Sequence, residues 1–123
     1  MKSFKDLQIW HTSQDVFFEL HAMCRHPVFE QDRYLKLQLL RAALSIHLNI
    51  AEGPGRAKSG EFAYFPRMSR GSLDEVQSLL SVMDRLHPGR FPVKEHAAQL
   101  DGLRMSLNAL YARVNAQRKI KGL

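Results

Sequence analysis

"LQLLRAALSIHLNIAEGPGRAKSGEF", residues 37–62, holds the two alternatives between which the fold is decided. Its second half has the glycines, the proline and the Lys58-Ser59 pair of a phosphate-binding loop, which belongs between a strand and a helix. Its first half has the spacing of a helix that ends there. The phosphate-loop pattern G-x-x-x-x-G-K-[ST] needs a glycine just before the lysine and another at its start, where backbone N–H groups wrap the phosphates. With Lys58 as the lysine, those positions are Ala57 and Glu52. Both glycines are missing, a carboxylate stands where phosphate would arrive, and no strand-like run precedes the loop. The stretch therefore reads as a turn between two helices, with Gly53 to Gly55 ending the first and Ser59 capping the second.

Placed at about 100° per residue, the first half resolves into two rows. Leu35, Leu39, Ala42, Ile46 and Ile50 fall on one side, and Leu37, Leu40, Leu44 and Leu48 almost opposite. A helix at the corner of a four-helix bundle needs one apolar stripe and keeps an outer face. The second row predicts burial of that outer face too, as an oligomer interface, since a contiguous exposed leucine row invites aggregation. On the flank between the rows, Arg41, Ser45, Asn49 and Glu52 form a polar ladder at spacings of four, four and three. Wedged between buried rows, such groups have to satisfy one another. The reading is a structural polar network that fixes helix register, with Ser45 and Asn49 bridging Arg41 to Glu52; a polar pocket is the alternative.

Outward from this stretch, Pro27, the Gly53–Gly60 segment and Pro88–Pro92 cut the chain into four helical pieces, about 6–25, 31–52, 59–86 and 94–118. No segment alternates with period two, so no strand is expected. The first piece carries Ile9, Trp10, Val16, Phe17, Leu20, Met23 and Cys24 at spacings of three and four, with Ser3 or Asp6 as its cap. The third has Phe62, Phe65, Val76, Leu79, Leu80 and Met83 on one face, together with Ser69 and Ser72, whose small size lets a neighbouring helix approach. The fourth has the narrow seam Leu100, Leu103, Leu107, Leu110 and Val114. Pro66 lies nearly two turns into the third piece, so that helix either bends there or begins later. The fold class is all-α, a single four-helix bundle over residues 1–123.

At 123 residues and 45% apolar content, one domain with a packed core is expected. Lys and Arg number 18 against 12 Asp and Glu, a balance that favours acidic partners such as nucleic acid. Cys24, the one cysteine, permits no intrachain disulfide, fits a reducing cytoplasm, and reads as a small buried hydrophobe. The opening "MKSFKDLQIW" has no leader-like apolar run, and no window reaches membrane-span length.

The chemistry of a catalyst is missing. None of the six histidines, His11, His21, His26, His47, His87 and His96, pairs with another at the metal-ligand spacing of three or four, so they read as surface or capping residues. Glu30, Asp32, Asp74 and Glu75 read as caps and helix-dipole partners. No catalytic residue, metal or cofactor is expected. The basic residues are better organised. Arg113, Arg118, Lys119 and Lys121 crowd the last helix, Arg56 and Lys58 occupy the turn, and Arg67 and Arg70 sit one turn apart beyond it. Repeated in an assembly, these eight would make a basic belt for phosphate contacts.

The segments "FKDLQIW", "RAALSIHLNIAEGPGR" and "GEFAYFPRMSRGSLDEV" resemble the family of proteins encoded in intervening sequences of bacterial large-subunit ribosomal RNA genes, a family that includes the accessory variability determinant of diversity-generating retroelements. The resemblance covers about residues 4 to 83. Its most specific part is Arg41, Ala42, Ser45, Ile46, Asn49 to Gly53, Gly55 and Arg56, supported by Glu61, Phe62, Phe65, Gly71, Ser72 and Glu75. It implies an antiparallel up-down four-helix bundle in a ring-shaped homo-oligomer, typically a homopentamer. The retroelement members bind nucleic acid and associate with a reverse transcriptase, and the family implies no catalytic residues. His47 stands where the family commonly has proline, predicting a straighter second helix, and Pro66 where an aliphatic residue is usual. The functional expectation is a non-enzymatic ring-forming bundle that binds nucleic acid or a nucleoprotein partner. A structural adaptor with protein contacts only is the alternative.

Overall fold

A computed structural model of the chain describes residues 7–55 and 64–120. The described chain forms α1 (Gln8–Met23), a 3-10 turn (Pro27–Glu30), α2 (Arg33–Gly55), α3 (Tyr64–Leu86) and α4 (Val93–Ile120), with no strand among the described residues. Each helix packs on the next and α4 closes against α1, while the backbones of the diagonal pairs lie further apart among the described residues. That is the neighbour pattern of an up-and-down four-helix bundle. None of these helices is long and apolar enough to cross a membrane.

One core runs through all four helices. Leu35, Leu39, Ala42, Ile46 and Ile50 of α2 are buried, as are Leu100, Leu103, Leu107, Leu110 and Val114 of α4. In α1, Ile9, Val16, Leu20 and Cys24 are buried, while Trp10, Phe17 and Met23 pack at the margin. In α3, Val76, Leu80 and Met83 are joined by Leu73, with Leu79 at the edge. The most extensive helix pair is α2 with α3. Ser69, fully buried between them, donates its hydroxyl to the Ile46 carbonyl at 2.9 Å, which a larger side chain would prevent.

The helix ends differ from the sequence expectations for identifiable reasons. The first helix starts later, with Leu7 rather than Ser3 or Asp6 at the N-cap and no side-chain cap. The second runs through Gly53 and Pro54 to Gly55 instead of stopping at Gly53. Gly53 has no Cβ, which relaxes the usual bar on helical geometry in the residue before a proline. The third helix is described from Tyr64 onwards, and Pro66 lies within it in helical conformation. Whether the chain is already helical before Tyr64, on which the two outcomes expected for Pro66 turn, lies outside the described residues. The cap expected at Ser59 and the core position at Phe62 lie outside the described residues. Between α3 and α4 the chain reverses through Gly89, whose φ of 74° is a left-handed conformation that suits glycine.

Candidate functional site

The outer face of α2 carries the second leucine row. Leu37, Leu44 and Leu48 are 62%, 39% and 51% exposed. Leu40 is different: it is half-buried and packs against the core. Among the described residues nothing covers Leu37, Leu44 and Leu48. Alongside it lies a depression of about 290 Å³ lined by Arg41, Leu44, Ser45, Leu48, Asn49 and Glu52. The leucine row and the polar ladder therefore share one surface, a greasy strip with a basic group at one end and an acidic group at the other.

The ladder is wired differently from the network read in the sequence. Asn49 Nδ2 donates to the Ser45 carbonyl at 2.9 Å and to Ser45 Oγ at 3.1 Å. Ser45 Oγ in turn pairs with Ser72 Oγ of α3 at 2.9 Å. Among the described residues Arg41 bonds to neither Ser45 nor Asn49, so the bridge from Arg41 towards Glu52 is not made through them. The reason is geometric. Ser45 and Asn49 are half-buried on the side facing α3, while Arg41 and Glu52 are exposed. The polar bonding joins Asn49 to Ser45 along α2 and continues from Ser45 to Ser72 of α3.

Three of the eight expected nucleic-acid-binding residues have described side chains. Arg67 and Arg113 are exposed, on α3 and α4. Arg70 is half-buried: it donates to Asn108 Oδ1 at 2.8 Å and lies 4.9 Å from the ring centre of Tyr111. Its guanidinium clamps α3 to α4 by a hydrogen bond and a cation–π contact, which reduces what it can offer a phosphate. That contact sets the level of the two antiparallel helices, and Arg67, one turn earlier in α3, comes alongside the turn of α4 that carries Arg113. Arg56, Lys58 and Lys121 lie outside the described residues, as do the side chains of Arg118 and Lys119.

Of the histidines expected at the surface or as caps, His11 and His21 are exposed and His26 is a cap, while two others depart from that expectation. His47 and His96 are buried. His26 caps the 3-10 turn, its Nδ1 accepting from the Val28 N–H at 3.1 Å. His87 Nε2 meets Asp32 Oδ2 at 2.7 Å. His47 sits between α1 and α2 with Nδ1 2.9 Å from Ser13 Oγ and Nε2 3.5 Å from Gln14 Nε2, under the ring of Trp10. Ser13 gives its hydroxyl hydrogen to the Trp10 carbonyl at 2.9 Å and so accepts from His47 Nδ1–H. Burial lowers the His47 pKa below its ordinary value, outweighing the Trp10 backbone contact. Nothing in the period of α2 distinguishes this position, because Ser13 and His47 are 34 residues apart. Burial also pushes the Cys24 thiol up to about 11, against the pull of the Lys36 ammonium, so the thiol stays protonated near neutrality. Asp74 pairs with Arg104 across α3 and α4. No group of three or more metal-ligating side chains gathers among the described residues.

The model of the 23S rRNA-intervening sequence protein family matches residues 5–107. The chain belongs to that family. The match takes in α1, α2, α3 and the first half of α4, and with them the leucine row, Ser45, Asn49, Ser72 and Arg67. Arg113 lies beyond it. No curated protein matches the chain.

Proposed function

We propose that this chain is a non-enzymatic helical bundle that self-associates through the outer face of α2 and binds nucleic acid through its basic surface. The observation that carries the reading is the exposed row Leu37, Leu44 and Leu48 on a protein of net charge +6. Apolar surface of that extent on one helix face favours burial against another copy, by roughly 25 cal/mol for each Å² removed from water. Multiplying the chain multiplies Arg67, Arg113 and the basic residues near both ends of the α2–α3 connection and of α4. Phosphate contacts then add, and affinity falls steeply with salt. The family's name, taken from intervening sequences of ribosomal RNA, fits a protein that works beside nucleic acid. A homopentameric ring is the expected assembly, the cytoplasm the expected compartment, and a nucleoprotein partner such as a reverse transcriptase the finer possibility that the family resemblance raises.

The test is fluorescence anisotropy with labelled mixed-sequence DNA and RNA, from about 50 to about 200 mM salt. Saturable binding that weakens along a straight line of log affinity against log salt supports the reading. No binding at the lowest salt removes the nucleic-acid half and leaves the adaptor reading, in which the leucine row meets another protein and the charge serves solubility.

A further inference from the structure

At the opposite end of the bundle from Arg67 and Arg113, α1 finishes, the chain makes its 3-10 turn, and α2 begins. These elements enclose a depression of about 530 Å³. Arg25, His26, Glu30, Arg33 and Lys36 surround it, over a wall that includes Cys24. The three cations come from three places in the chain: the end of α1, the first residue of α2 and the next turn of α2. Among the described residues none of Arg25, Arg33 and Lys36 makes an ion pair or a side-chain hydrogen bond, and Glu30 reaches none of them. Three like charges converging on one concavity repel each other, and a carboxylate within pairing distance would relieve them. Asp32, beside Arg33 in the chain, is committed elsewhere, to His87 at 2.7 Å.

Two further features lean the same way. Asp32 immediately precedes α2, where an aspartate normally folds back to cap the first N–H groups. With its carboxylate held by His87, it makes no such cap, and the N–H groups of Arg33 and Tyr34 have no hydrogen-bond acceptor among the described residues. The positive end of the α2 dipole therefore adds to the three side-chain charges. His26 accepts from Val28 N–H through Nδ1, so in the neutral ring Nε2 carries the hydrogen and is a donor. The depression offers cations and N–H donors, with one carboxylate, Glu30, at its rim.

We propose that this depression, ringed by Arg25, Arg33 and Lys36 at the start of α2, binds a phosphoryl group. Three cations against one carboxylate leave a surplus of two positive charges, which matches a phosphate dianion. Two guanidinium forks suit its paired oxygens better than they suit a monovalent ion. The volume admits more than the bare ion, so the phosphoryl group arrives either on a small molecule such as a nucleoside 5′-monophosphate or as part of a nucleic-acid strand. The site goes beyond the proposed nucleic-acid surface, since it uses none of its residues and lies towards the other end of the bundle.

The experiment is an NMR titration of the uniformly ¹⁵N-labelled full chain, run in parallel with inorganic phosphate, a nucleoside 5′-monophosphate, and a short single-stranded oligonucleotide bearing either a 5′-phosphate or a 5′-hydroxyl. Saturable amide shifts confined to residues 25–36, which chloride at equal ionic strength does not produce, are expected with inorganic phosphate. Arg33→Gln with Lys36→Gln should weaken that binding by about tenfold or more, the scale of losing a charge-assisted contact. Arg67→Gln with Arg113→Gln should leave it unchanged. Arg25→Gln alone gives the same answer should the double variant fold poorly. A preference for the monophosphate and the 5′-phosphorylated strand identifies terminal phosphate; equal binding of the two strands identifies the strand backbone; both support the site. Phosphate binding with no oligonucleotide binding keeps the site and removes the nucleic-acid reading. No saturable shift with phosphate, or shifts that survive the Arg33 and Lys36 substitutions, overturns the proposal.

Discussion

Lowering the pH should loosen the bundle through His47. Its ring is 8% exposed and bonded as a neutral tautomer: Nδ1–H to Ser13, which passes its own hydrogen to the Trp10 carbonyl, with Nε2 turned to the Gln14 amide nitrogen. A second ring proton would face an N–H donor and lose its hydration, so burial holds the folded pKa below the unfolded value of 6.5. The sign follows from linkage. The unfolded chain binds the proton first, so the stabilisation is complete above pH 6.5 and is lost as pH falls from there towards the lowered folded value. Between about pH 7.5 and about pH 5.5 the loss from this one group is at most about 1.4 kcal/mol. Turning the Gln14 amide over would present its oxygen to the new proton and trim that figure. The assay is urea unfolding followed by far-ultraviolet circular dichroism at fixed protein concentration, for the wild type and for His47→Gln, whose amide does not titrate. The wild type should lose more stability over that interval than the variant. Equal losses in the two proteins would refute the assignment of His47 as a buried neutral ring.

Three other outcomes follow from the packing. Ser69→Leu should overpack the closest part of the α2–α3 contact and cost about 1–3 kcal/mol in urea unfolding, whereas Ser69→Ala should cost about 1 kcal/mol or less, since the Ile46 carbonyl it leaves is a helical one. Cys24, 2% exposed with its thiol pushed up to about 11, should react with a thiol reagent at pH 7.5 far more slowly than free cysteine, and at an ordinary rate in urea; rapid modification of the folded chain would contradict its burial. Arg70→Ala should destabilise by about 1–2 kcal/mol through the lost Asn108 and Tyr111 contacts, more than Arg67→Ala, which touches solvent.

The periodic part of the fold was legible because its cause is local. Leu35 to Ile50 and Leu100 to Val114 repeat at helical spacing, and each repeat is a buried stripe. The second row of α2 was legible for the same reason, and the exposure of Leu37, Leu44 and Leu48 is what an outer face at a bundle corner entails. Helix ends were harder, because local breaker signals compete with packing: Gly53 and Pro54 stay helical, and α1 starts at Gln8 with no side-chain cap. What stayed hidden depends on tertiary geometry. Ser45 finds Ser72 rather than Arg41, and His47 finds Ser13, because side chains 27 and 34 residues apart in the chain are brought together by helix packing. The corner of Arg25, Arg33 and Lys36 leaves no mark in the sequence, because no two of its cations are adjacent in the chain. Its cohesion comes from the 3-10 turn that folds the end of α1 over the start of α2.

The surface of α2 carries the central claim. Leu37, Leu44 and Leu48 together expose about one and a half leucines' worth of surface, whose burial is worth about 2–5 kcal/mol for each protomer. Sedimentation equilibrium of the wild type beside Leu37→Glu with Leu48→Glu tests it directly; both positions are chosen because they are the most exposed of the row, while Leu40 packs on the core. The wild type should sediment as a multiple of 14.1 kDa, and the double variant at 14.1 kDa with its helical dichroism intact. A wild type at the mass of one chain, or a variant that keeps the mass of the assembly, would contradict the account.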